Sequence, residues 1–261
     1  MSYSALGYHF EIGQLHESVA EEILRVLRPL SRRDVSPSSV FDIRRQPSGH
    51  LEFAIDGVIQ LATKNEAVIT HLVVAALTAG AIRSRSDHLV LHAGAVVLNG
   101  RTILISGQSG AGKSTLTVAL INAGGQYLSD EAVVLDRDGK VVEALGRCPQ
   151  LDRHSRSILR DERWVSAEHP DTSSYTEMAG DERWPDLRPP AATVVVFLGA
   201  SPPKSDGMAV ARLIGDAFEP FRRTQDGLDR VSHLARSSVL LAPNRGEPAE
   251  MVRAIQDALT P

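Results

Sequence analysis

One cysteine, Cys148, stands among 261 residues. A single cysteine excludes an internal disulfide framework and a Cys-based zinc site, and it fits a reducing, cytoplasmic setting. Lysine is scarce too: Lys64, Lys113, Lys140 and Lys204 are the only four among 28 basic residues, and the others are arginine. Coding bias toward GC-rich codons is the plain reading of that excess, preferred to any recognition role. A positive excess is missing, since the net charge is −4, so a nucleic-acid partner is not expected. Long apolar runs are missing as well. The most apolar stretch, around residues 72–77, falls far below the ~18 residues of a membrane span, so no membrane partner is expected. The start, MSYSALGYHFEIG, has neither a basic n-region nor an apolar core and does not read as a signal peptide.

What is present is an ordinary globular composition, with enough chain for one large α/β domain or a small domain beside a larger one. We expect a small α/β unit at 1–86. Residues 8–12 read as a strand, and Val19, Ala20, Ile23, Leu24 and Leu27 as one helix face stopped by Pro29. Strands follow at 40–43 and 51–61, with Asp56-Gly57 a tight turn. Asn65 caps a helix to about residue 82, apolar nearly all round and so expected to be buried. A second unit is expected at 87–261. There 193–198 (TVVVFL) and 208–213 read as strands, and 238–241 as another. Helices are expected at 216–223, 227–235 and 248–259.

The second unit is organised around 107–114, Gly-Gln-Ser-Gly-Ala-Gly-Lys-Ser, a full match to G-x-x-x-x-G-K-[ST]. The context is the one this motif needs: a β-branched strand at 102–105 before it and an apolar helix after it, stopped at Gly124-Gly125. Gly107, Gly110 and Gly112 permit positive φ and close approach of backbone N–H groups to an anion. The helix start at Lys113, Ser114 and Thr115 adds its dipole, so Ser109, Gly110, Ala111 and Gly112 become a phosphate cradle. Lys113 then reaches the β- and γ-phosphates of ATP, and the Ser114 hydroxyl ligates Mg2+.

Counting brings further groups to this loop. If Asn99-Gly100 is a two-residue hairpin turn, Leu98 faces Arg101 and the register runs back to set His92 opposite Gly107. A core histidine is the alternative. A strand at 126–129, after the loop's helix, delivers Asp130 and Glu131 to the same sheet edge. Carboxylates there serve as metal ligands or take the proton of an attacking hydroxyl; an ordinary polar strand end is the alternative. His88 and His92, four apart, lie in or before a strand rather than on one helix face.

Leu-His-Ala-Gly-Ala, the hairpin into GQSGAGKST, and Gly-Gly-Gln-Tyr-Leu-Ser-Asp-Glu together resemble the catalytic core of HPr kinase/phosphorylase. The resemblance is closer to the shorter HPr-kinase-like enzymes that phosphorylate serine in lasso-peptide precursors. It covers about a fifth of the chain. It implies a P-loop kinase core like the HPr kinase C-terminal domain, with His92, Lys113, Ser114, Asp130 and Glu131 as the active site and Asp130 as the base. Glu131 stands where the family commonly has a second Asp. No counterpart of the family's long Arg-Gly-rich segment follows, which points away from HPr itself as substrate.

Residues 144–190 turn polar and charged, the place for a mobile lid or acceptor-binding loop. Arg147 and Arg153 are the nearest guanidinium groups that can meet a transferring phosphate, or are plain solvated side chains. Asp161-Glu162-Arg163-Trp164 recurs at 181–184, too short to establish a repeat. No LSGGQ-like helix start, no N-K-x-D and no recognisable nucleoside-monophosphate lid are present, which argues against transporter ATPases, GTPases and those kinases. The expected function is an ATP- and Mg2+-dependent serine kinase acting on a peptide or small protein. A small-metabolite kinase and a non-catalytic nucleotide-binding regulator are the alternatives, and a homo-oligomer is left open.

Overall fold

In the computed structural model the described residues are all but 33, 160–163, 167–173, 179–188, 192, 200, 220–223, 245 and 260–261, with only the backbone at 164–166 and 174–178. The chain divides into two compact units, Met1–Ser84 and Arg85–Pro261.

In the first unit β1 (Ser2–Ala5), β2 (Tyr8–Leu15), α1 (Glu17–Leu27), β3 (Ser31–Arg32), β4 (Ser39–Arg45), β5 (Leu51–Ile55), β6 (Val58–Thr63) and α2 (Glu66–Arg83) follow in order. The strands form one sheet, β3-β1-β2-β4-β5-β6. Tyr3, Phe10 and Phe41 stack in series across it, Phe53 meets Phe41 edge-on, and all four are buried, the large apolar surface on which a unit this small depends. Asp56 and Gly57 both have positive φ, at 51° and 78°, so the β5–β6 turn is of the twisted hairpin type. Asn65 caps α2 by accepting from the Ala67 N–H at 3.1 Å.

α2 departs from expectation twice. Ile69, Thr70, Val73, Val74, Leu77, Gly80 and Ala81 are buried on one side, while Ala75 is exposed. By length and composition, moreover, its 18 residues with mean hydropathy 1.4 suffice to cross a membrane; the flanking polar positions had made the apolar stretch look shorter.

The second unit contains β7 (Leu89–Leu91), β8 (Gly94–Leu98), β9 (Arg101–Ser106), α3 (Lys113–Asn122), β10 (Gln126–Ser129), β11 (Val133–Leu135), β12 (Val141–Ala144), β13 (Gln150–Leu151), α4 (Arg153–Leu159), β14 (Trp164–Ser166), β15 (Ser174–Met178), β16 (Thr193–Phe197), α5 (Asp206–Gly215), α6 (Gln225–Ser237), β17 (Val239–Leu241) and α7 (Pro248–Leu259). Its main sheet runs β10-β8-β9-β16-β17. β9, β16 and β17 are parallel, and β8 is antiparallel to both β9 and β10. β9 and β10 therefore point the same way with β8 between them, and their carboxyl ends share one edge.

Strand alternation divides the core. Val96, Ile103, Ile105, Val194 and Val196 pack against α3 and α7 on one face. Ala95, Val97, Leu104, Val195 and Phe197 pack on the other against α5, α6 and the small sheet β12-β11-β7. This is the period-2 pattern of strands buried on both faces.

Residues 208–213, expected as a strand, are helical. Ser205 accepts from the Met208 N–H as an N-cap, and Ala209 and Leu213, four apart, are the buried pair. Met-Ala-Val-Ala has no periodicity of its own, and burial on one face selects the helix. The helix expected at 216–223 is not formed at its start. Asp216 ends α5, Ala217 bridges to Leu91, and 220–223 lie outside the described residues. Residues 160–163, 167–173 and 179–188 of the polar segment expected as a lid also lie outside them, and with them 161–163 and 181–184 of the recurring tetrapeptide.

Candidate active site

β8 and β9 join through Asn99 and Gly100, with φ of 50° and 71°. The register runs from Leu98↔Arg101 to Gly94↔Ile105 and ends there. His92 and Gly107 fall just past that ladder and line one cleft. Gly94 is required at this spot: a Cβ there would stand 2.5 Å from Thr117 Oγ1 of α3.

Beyond Ser106 the chain enters the glycine loop. Gly110 and Gly112 take φ of 76° and 98°, values that cost other residues dearly. Gly112 caps α3 and accepts from the Leu116 N–H at 2.9 Å. The Lys113 ammonium is buried against its own loop and donates to the Gly107 carbonyl at 2.7 Å. Burial lowers its pKa, opposed by Asp216, Glu131 and Asp130. Ser109 and Gly110 are exposed, Ala111 and Ser114 half-buried. The Thr115 hydroxyl is 2.7 Å from that of Ser155 and ties α3 to α4.

At the end of β10 the Ser129 hydroxyl accepts from the N–H groups of Glu131 and Ala132, both at 3.0 Å. This local turn sends the two acids in different directions. Asp130 turns inward and is 3% exposed. Its oxygens accept from the Tyr127 hydroxyl at 2.9 Å and the Gln150 N–H at 3.1 Å, and Arg147 Nη1 lies 3.7 Å away. Burial pushes the Tyr127 phenol well above its usual range, and the charge of Asp130 adds to this. Glu131 turns outward, accepts from Arg147 Nη2 at 2.8 Å and approaches His92 Nε2 at 3.8 Å.

Arg147 is thus no solvated loop side chain but a buried guanidinium behind both carboxylates. Arg153 is exposed at the start of α4. His88 and His92 flank β7. Burial lowers the His92 pKa, and the nearby Lys113 charge lowers it further, so its ring is neutral at neutral pH.

One acid near the loop was not read from sequence. Asp216, at the end of α5, accepts from the Ser106 hydroxyl at 2.5 Å and from the Gly107 N–H. Its own carbonyl accepts from the His92 N–H at 2.7 Å. Burial raises its pKa, although the Ser106 bond and the Lys113 charge oppose the shift. No motif marks Gly215-Asp216, and it reaches the loop through the packing of α5.

The cleft beside the loop has a volume of about 920 Å3 and is lined by residues 106–111, His92, Asp216, Arg212, Phe197 and Phe218 among others. Among the described residues no cluster of three His, Cys, Asp or Glu side chains could hold a metal alone. Ser114, Glu131 and Asp216 each carry oxygen donors of the kind Mg2+ accepts, and a Mg2+ ion here would draw its remaining ligands from phosphate and water.

No family model and no curated protein matches this sequence. Among solved structures the chain is similar to the Hpr(Ser) kinase/phosphatase from Coxiella burnetii. The TM-score is 0.32 and the identity 13%, over 65% of this chain and 90% of that one. The chain is a mixed α/β protein with a glycine-rich strand-to-helix loop opening on a polar cleft.

Proposed function

We propose that this chain is an ATP- and Mg2+-dependent kinase transferring the γ-phosphoryl group to a serine hydroxyl of a peptide or small protein, such as a lasso-peptide precursor. The observation that carries this reading is the glycine loop opening on one cleft with His92, while Glu131 stands 3.8 Å behind that ring. Aligned amides of the loop hold the phosphates, and Lys113 leaves its own carbonyls to neutralise charge developing in transfer. Mg2+, when bound through Ser114 and the nearby carboxylates Glu131 and Asp216, would supply further charge neutralisation. The resemblance assigns the base to Asp130. Its burial and its bonds to Tyr127 and Gln150 make Glu131 the better placed of the pair to take a proton from an acceptor hydroxyl. Neutral His92 orients that hydroxyl, while Asp130 and Arg147 hold the corner rigid.

Mass spectrometry of serine-containing peptides after incubation with MgATP tests the reading. A phosphate mass gain is expected, lost in Lys113→Ala together with nucleotide binding. Glu131→Gln should keep nucleotide binding and lose at least ~100-fold in transfer; transfer at the wild-type rate removes Glu131 from that role. The Arg147–Glu131 pair favours a second reading, a nucleotide-binding regulator, because the guanidinium already occupies the acid. Tight nucleotide binding with no transfer to any peptide or small-metabolite hydroxyl would select it.

A further inference from the structure

We infer that Asp216 makes nucleotide binding at this loop depend on a divalent cation, acting as the cation-side acid that β16 does not supply. The inference rests on the proposed binding of a nucleotide triphosphate at the loop. β16 lies beside β9 in parallel, where a carboxylate at its end would face the phosphates, yet Gly199 follows Leu198. Asp216 fills that need from another direction. It is the one carboxylate among the described residues lining the cleft, and it is fixed there by Ser106, Gly107 and the His92 main chain.

The placement has an electrostatic consequence. A partly desolvated carboxylate beside the first amide of a phosphate cradle repels a triphosphate, because little water screens the two charges. A divalent cation between them turns that repulsion into attraction, and oxygen donors of this kind are those Mg2+ accepts. Lys113 is the only lysine at the site and opposes part of the repulsion, and Asp216, Glu131 and Asp130 all lie near enough to favour its charged form. Asp216 is therefore a positioning residue whose charge, more than its hydrogen bonds, sets the metal requirement.

The test is a fluorescence titration of the full chain with a mant-labelled ATP, in excess Mg2+ and again in EDTA. Wild type should bind at least ~10-fold more tightly with Mg2+. Asp216→Asn should shrink that ratio about tenfold, roughly 1.4 kcal/mol, chiefly by binding the metal-free nucleotide more tightly. Ser106→Ala keeps the charge while losing one of the bonds that fix the carboxylate, and should shrink the ratio less than Asp216→Asn does. A ratio unchanged in Asp216→Asn, or both affinities falling together as loss of a loop brace would give, overturns the inference while leaving the nucleotide site standing. Wild-type protein that binds no nucleotide under either condition overturns the proposed function as well. Melting curves of each variant separate these outcomes from misfolding.

Discussion

Arg147→Met removes one buried charge without opening a large cavity, and its cost follows from the contacts. The Arg147 and Asp130 side chains are 3% and 2% exposed, 3.7 Å apart. At an effective dielectric of about 20 their attraction is roughly 4.5 kcal/mol. Asp130 keeps Tyr127 and the Gln150 N–H, so its charge is not wholly stranded. Glu131 is 27% exposed and can turn to solvent, which limits its share to about 1 kcal/mol or less. Breaking a buried pair from one side typically costs about 3–5 kcal/mol, and we expect a value in that range. Against a total of about 5–15 kcal/mol, that is a severe loss. Urea unfolding followed by far-UV circular dichroism measures it, with the midpoint expected to fall by about 1–3 M at an m-value of ~2 kcal/mol/M. Adding Asp130→Asn removes the stranded charge and should recover at least ~1 kcal/mol. A cost below ~1 kcal/mol for Arg147→Met, or no recovery in the double variant, would show that the guanidinium does not hold this corner.

Asp216→Asn should act on stability in a direction set by pH. The folded pKa of Asp216 is raised above 3.8, so its favourable contribution is complete below 3.8 and is lost as pH rises through the folded value. The variant should melt at or above wild type at pH 7, with the difference narrowing toward pH 4; a lower melting point at pH 7 refutes this. The His92 pKa is depressed from 6.5, so its contribution is present above 6.5 and is lost as pH falls below it. His92→Gln should lose less stability than wild type between pH 6.5 and 5, and equal losses would contradict the assignment. Gly94→Ala forces a Cβ to 2.5 Å from Thr117 Oγ1 and should cost about 1–3 kcal/mol in urea titration, with an unchanged midpoint as the contrary result.

Local features were legible in the residues because their causes are local. The Asn99-Gly100 turn, the Asn65 cap, the stop at Gly124 and the alternation across β9 each depend on a few neighbouring residues. Counting along the hairpin was enough to bring His92 to the loop's cleft. α5 was misread because 208–213 is apolar without a marked period, and its helical state follows from which side the core covers.

The sequence alone determined the glycine loop, its flanking strand and helix, and the shared edge of β9 and β10. These follow from φ preferences and hydrogen-bond spacing, which act over one turn or one strand pair. Only the tertiary structure decided that Asp130 turns inward and Glu131 outward, that Arg147 is buried behind them, and that Asp216 joins the loop across 110 positions of chain. Those placements depend on which helices and loops pack against the sheet edge, and no short-range rule encodes that packing.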